Sequence, residues 1–158
     1  MARIDYYDDP DAPVANRIVV AVAAVVRDER GRVLLIRRTD NGRYAVPGGA
    51  QEIGESVGQA VVREVREETG IEVVPTRLTG VYSDPRHVIA YPADGEVRQE
   101  FSLCFLARPV GGVPRTSEES SEVLWVEPER LGGLDIHPAV RLRIEHALRD
   151  RPEAYFTF

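Results

Sequence analysis

The chain has 158 residues, 43% of them hydrophobic and 29% charged, a balance that suits one soluble globular domain with enough length to bury a core. Its formal charge of −6 excludes the broad, sequence-independent nucleic-acid binding that depends on clustered positive charge, and a single cysteine, Cys104, excludes an intrachain disulfide. The amino terminus lacks a charged-then-apolar leader and no run approaches the ~18 apolar residues of a membrane span, so a cytoplasmic protein without a membrane partner is expected.

Residues 1–16 are acidic, carry two prolines and two adjacent tyrosines, and read as an N-terminal arm ahead of a single domain over residues 17–158. Ile18 to Val26 is rich in β-branched residues and predicts a strand buried on both faces. The turn Asp28-Glu29-Arg30-Gly31 and the run Val33 to Ile36 then predict a hairpin at the sheet centre. Arg37, Arg38 and Arg43 follow, leading to Gly48 and Gly49. Two glycines in sequence let the backbone adopt φ > 0 and approach a phosphate or metal closely. Arg37 and Arg43 are therefore candidates for substrate contact, against the plainer reading of surface solubility.

Ser56 with Gln59 three residues on has the form of a capping box, and Gly70 that of a C-terminal cap, so a helix is predicted over Val57–Thr69. At about 100° per residue, Val57, Val61 and Val65 form one apolar stripe. Glu64 and Glu68 overlap its edge, and Glu67 lies beyond Glu64 on the same flank. Like charges at this spacing repel, and a hard divalent cation such as Mg²⁺ would relieve them with oxygen ligands. A solvated acidic helix with pairs such as Arg63 and Glu67 is the plainer alternative.

The wider pattern decides between them. Gly49, five residues, Glu55, seven residues, and then Arg63-Glu64-Val65-Arg66-Glu67-Glu68-Thr69-Gly70-Ile71 resembles the Nudix box at every defined position, nine positions over 23 residues. The resemblance to the Nudix hydrolase superfamily implies an α/β/α sandwich with a mixed β-sheet between helices. It implies an enzyme that hydrolyses the pyrophosphate bond of a nucleoside diphosphate linked to another moiety. It also implies Mg²⁺, with Mn²⁺ as a substitute, held by Glu64, Glu67 and Glu68 near the backbone carbonyl of Gly49. Arg63 and Glu55 look like the pair joining loop to helix.

Beyond the helix, Ile71–Val74 and Leu78–Tyr82 read as extended segments broken at Pro75. His87–Tyr91 and Val97–Ala107 read as a hairpin through Pro92-Ala93-Asp94-Gly95. Tyr82, Arg86 and Arg98 are candidates to line a sugar or base pocket. Phe101, Leu103 and Phe105 form an aromatic face that favours core, and Cys104 among them reads as a small buried residue. The polar stretch 110–122 precedes a last strand, Val123–Val126. Superfamily members often recruit a further acid from a late loop, which makes Glu118, Glu119 and Glu122 candidates for a base or extra ligand, with Glu119 and Glu122 preferred. Pro138–Leu148 predicts a second helix that covers the opposite side of the sheet, and His87, His137 and His146 read as turn or surface residues.

The expected substrate is a small nucleotide. Pro85 lies 14 residues past Ile71, one short of the spacing that relatives cleaving ADP-ribose commonly show. That near-match is only a hint, and the resemblance itself makes a nucleoside diphosphate sugar such as ADP-ribose the first expectation. Nucleoside triphosphates, oxidised ones included, are the second, and a non-catalytic nucleotide sensor is the third. The resemblance also makes a homodimer the assembly to test.

Overall fold

The apolar run after Asn16 divides into a short exposed strand and a buried one, and both helices pack against the second. In the computed structural model, which describes residues 2–158, β1 (Ile4–Tyr7) and β2 (Arg17–Ile18) precede β3 (Ala21–Val26). Successive side chains of a strand point to opposite faces. Val22, Ala24 and Val26 therefore join one core cluster, and Ala23 and Val25 join the other. The first cluster is closed by Ala60, Val61 and Val65 of α1 (Val57–Thr69), and the second by Ile144 and Ala147 of α2 (Pro138–Leu148). Two helices with sheet between them make the α/β/α sandwich, and no helix among the described residues is long and apolar enough to cross a membrane.

Three sheets share the strands. After β4 (Val33–Arg38), β5 (Tyr44–Ala45) and β6 (Gly48–Ala50), the chain forms α1 and then β7 (Ile71–Tyr82), β8 (His87–Tyr91), β9 (Glu96–Gln99) and β10 (Ser102–Gly112). It ends with β11 (Ser120–Val126), a 3₁₀ turn at Pro128–Gly133, α2 and β12 (Tyr155–Phe156). The central sheet is mixed, in the order β12-β7-β10-β3-β6, with β10 parallel to β3 and β6 antiparallel to it. A second sheet runs β11-β4-β5 and a third β1-β8-β9-β2.

Several local expectations change here. β3 and β4 do not form a central hairpin: past the single bridge Arg27 to Val33, β3 pairs with β10 and β6 while β4 pairs with β11 and β5. Both strands are buried on two faces, and each finds its partners far along the chain. β7 passes through Pro75 unbroken, because β12 reaches only Gly80 and Val81 and leaves the edge free beside the proline, where a missing N–H costs nothing. The hairpin after Tyr91 closes at Gln99, and β10 begins at Ser102 in a different sheet. Residues 120–122 belong to β11, which shortens the late loop. Ile4–Tyr7, inside the segment read as an arm, pairs antiparallel with β8.

Candidate active site

The glycine turn is shaped by two close approaches. β6 lies so tightly on β3 that a Cβ on Gly48 would overlap the Val22 carbonyl and stand 2.9 Å from Ala23 Cα. A Cβ on Gly49 would stand 2.5 Å from Glu64 Oε1 and 2.7 Å from Oε2. Glycine at 49 thus lets the first box carboxylate rest against the strand backbone.

The helix beneath is capped as its sequence predicts. Ser56 Oγ accepts from the Gln59 amide at 3.2 Å, and Gln59 Oε1 accepts from the Ser56 amide at 2.8 Å. At the far end Gly70 has φ 77° and its N–H bonds the Arg66 carbonyl. Arg63 ties the preceding loop to α1: its Nε and Nη2 donate to the two oxygens of Glu55, and Nη2 also donates to the Ala50 carbonyl at 3.0 Å. The Arg63 guanidinium, with the Glu52 amide after it, holds the Glu55 carboxyl down at about 2. Arg63 Nη1 donates in addition to Glu64 at 2.8 Å and to Glu67 at 3.3 Å.

Glu68 has no such partner. The residue is 4% exposed, and burial first, then Glu64 and Glu119, raise its carboxyl to about 8 against the weaker pull of Arg38 and the Gly48 amide. Burial likewise raises Glu64. Glu119 arrives from the late loop, which is laced onto the end of α1. Ser120 Oγ donates to the Glu68 carbonyl at 2.7 Å, and the Arg115 amide donates to the Thr69 carbonyl at 2.7 Å. The Thr39 amide and hydroxyl hold the Glu119 and Glu118 carbonyls. Gly49, Glu64, Glu67, Glu68, Glu118 and Glu119 consequently line one acidic cleft with Arg63 at its side.

This donor set is all oxygen and suits a hard divalent cation. A buried carboxyl that shares the cleft with Glu64 and Glu119, and a strand cradle that any Cβ would fill, suit such an ion near Glu64, Glu68 and the Gly49 carbonyl. Among the described residues no three His, Cys, Asp or Glu side chains converge on one point as they stand, since Glu64 and Glu67 both turn to Arg63.

The structure separates the remaining candidates. Gly48, Gly49, Arg43 and Arg98 line a cavity of about 180 Å³ that shares Gly49 and Ala50 with the acidic cleft. Arg37 and Glu122 lie outside both, paired with each other at 3.0 Å on β4 and β11, with the Tyr44 hydroxyl donating to Glu122. Tyr82 is buried in the core under α2, where Tyr155 and His146 stack on it. Arg86 is exposed and pairs with Asp84 and Asp8. His87 is buried in β8 and not in a turn, and His137 caps α2, with Nδ1 accepting from the Ala139 amide at 3.1 Å.

Sequence reasoning passed over Arg3, Asp5, Tyr91, Glu100 and Arg143, all of which line the cavity. Most carry no local signal. Arg143 does: it sits at the 3.6-residue spacing of Val140, Ile144 and Ala147, a charge on the buried face of a helix.

An acid-bearing helix held beneath a glycine strand, on a sandwich of this topology, defines a class of phosphate-handling fold. The chain belongs to the NUDIX domain family, whose model matches residues 17–148. It is 45% identical over 112 residues to a MutT-like protein of Streptomyces ambofaciens, covering 71% of this chain and 66% of that one. It is 38% identical over 120 residues to an ADP-ribose pyrophosphatase of Methanocaldococcus jannaschii, covering 71% and 63%. The chain thus spans somewhat under two thirds of these relatives' length. Among solved structures, an ADP-ribose pyrophosphatase from Streptococcus suis superposes with a TM-score of 0.70 at 20% identity, over 89% of this chain and all of that one, which shows the shared fold.

Proposed function

We propose that the chain is a metal-dependent pyrophosphohydrolase acting on a nucleoside diphosphate linked to a second group, with a nucleoside diphosphate sugar such as ADP-ribose as the reference substrate. The observation that carries this reading is Glu68, a buried carboxyl facing Glu64 and Glu119 in a cleft that opens into a cavity. Glu64, Glu67 and Glu68, with the Gly49 carbonyl, would hold Mg²⁺ or Mn²⁺. When bound, such an ion neutralises charge on diphosphate oxygens and acidifies water.

The chain's own groups do the rest. Arg63 fixes the loop 50–55 against α1 and, in the absence of a cation, holds the Glu64 and Glu67 carboxylates to itself at the side of the cleft. Glu119, exposed and fixed at its backbone, is placed to accept a proton from an attacking water. Gly48 and Gly49 let the diphosphate lie against the strand. The Methanocaldococcus ADP-ribose pyrophosphatase supports the sugar nucleotide, and a nucleoside triphosphatase of Escherichia coli, 32% identical over 120 residues, supports a nucleoside triphosphate as the second reading.

The test is product analysis by anion exchange after incubation with ADP-ribose and with dGTP, in Mg²⁺ and then in excess EDTA. Mg²⁺-dependent AMP from ADP-ribose is expected. Nucleoside monophosphate plus pyrophosphate from dGTP alone would select the second reading, and metal-independent binding without turnover would select a sensor.

A further inference from the structure

Two hollows of opposite charge meet at Gly49 and Ala50. The cleft presents six glutamates against Arg63, whereas the cavity beside it presents five arginines against two carboxylates, Asp5 and Glu100, in a chain of formal charge −6. We propose that the cavity is a metal-independent subsite for a phosphoryl group additional to the two that flank the scissile bond, and that Arg3 of the N-terminal strand helps to select it. The proposal rests on the reading of the adjoining cleft as the hydrolytic site and narrows it to substrates that carry a further phosphate.

Three of the five arginines are poorly paired. Arg143, its side chain 8% exposed, stands 3.5 Å from Glu100, and its Nε has no hydrogen-bond partner. Arg3 Nε is also buried without a partner, 3.3 Å from Asp5 and 3.9 Å from Asp40. Arg43 Nε lies 3.6 Å from Asp135. These distances exceed the roughly 2.7–2.9 Å of a charge-assisted hydrogen bond. Arg38 and Arg98, by contrast, each donate two N–H groups to Asp40 and Glu96, acids that do not line the cavity. A buried cation with unpaired donors is unfavourable until an anion joins it. A phosphoryl group offers several acceptor oxygens at one point, the arrangement that guanidinium groups match. Asp5 and Glu100 each already face an arginine, Arg3 and Arg143, which blunts their repulsion.

Among the described residues no arginine lines both hollows, so a phosphate held by the cavity is a different group from one held at the box carboxylates. The volume of about 180 Å³ lies below the roughly 300 Å³ at which pockets for drug-sized ligands begin, so the cavity suits a phosphorylated sugar. Arg3 comes to it on a segment that the family-matched residues 17–148 do not include. That segment is fixed. β1 pairs with β8 along Ile4–Tyr7, and the Tyr7 ring stands edge-on to His87 and His137 with each ring centre 5.3 Å away.

Isothermal titration of the full chain in EDTA with ribose 5-phosphate and with ribose tests the subsite alone, because the metal-free cleft of glutamates repels phosphate. Ribose 5-phosphate is expected to bind at least about tenfold tighter than ribose, the scale of a hydrogen bond to a charged group. Arg3→Gln and Arg43→Gln, both outside the core, should each weaken it severalfold. Arg130→Gln, the same loss of charge at an exposed place away from the cavity, should not. No preference for the phosphorylated sugar, native affinity in both cavity variants, or an equal loss in Arg130→Gln overturns the proposal. Turnover in Mg²⁺ adds a second readout through NADPH and NADH, which differ by one phosphate on a ribose. The native kcat/KM should favour NADPH, and Arg3→Gln should bring the ratio toward one; a native ratio of one overturns the proposal. Hydrolysis of NADH without phosphate binding in EDTA removes only the subsite, whereas selective ribose 5-phosphate binding without hydrolysis of any pyrophosphate removes only the hydrolase.

Discussion

Glu68 occupies a place on α1 where a helix ordinarily buries a leucine or valine, and it has no cationic side chain in contact. Burying a carboxylate beside two others is unfavourable unless something positive joins them. Glu68→Gln should therefore leave the metal-free protein as stable as the native chain or more so, while abolishing the rise in Tm that Mg²⁺ produces. Calorimetry in EDTA and in Mg²⁺ reads both, and a Mg²⁺ shift as large as the native one would exclude Glu68 from the metal. Gly49 is the complementary case. Gly49→Ala drives a methyl into the Glu64 carboxylate, and a tenfold or greater rise in the Mg²⁺ concentration for half-maximal rate is expected.

At the scale of elements, α1 is positioned by what binds its two ends. The loop before it is held through Glu55 and Arg63, and the sign of that contribution with pH follows from the Glu55 carboxyl, which falls from 4.5 to about 2 on folding. A lowered folded value means stability present above pH 4.5 and lost as pH falls toward 2. Native Tm should decline across that window, and Glu55→Gln should start lower at pH 6 and decline less. Parallel acid limbs for the two proteins would contradict it. The other end is held by the late loop: Ser120→Ala removes a buried donor from the Glu68 carbonyl and should cost about 1–3 kcal/mol in urea unfolding. Because the same loop carries Glu119, kcat should fall with it. α1 was legible in the sequence because its signals are local: cap, apolar period and C-terminal glycine lie within fifteen residues. The pairing of β3 with β10 and of β4 with β11 was not, since β-branched runs buried on both faces carry no mark of their partners.

Over the whole molecule, the same contrast separates cleft from cavity. Half of the cleft's carboxylates, Glu64, Glu67 and Glu68, come from one helix and were readable from spacing, whereas the cavity is assembled from residues of nearly every strand of the first two thirds of the chain and of α2. Glu122 illustrates the cost of reading a boundary late: placed in a loop it could reach the cleft, but in β11 its register sets it opposite Arg37. Pro75 illustrates the reverse error, a breaker tolerated on an open edge. The proposed function requires α1 to hold a metal beside a hydrolytic cleft, and the most direct measurement is the Mg²⁺-dependent rate of pyrophosphate-bond cleavage in native protein, Glu67→Gln and Glu68→Gln. The account predicts losses of orders of magnitude in both variants with folding intact by circular dichroism. Near-native rates in both would contradict it.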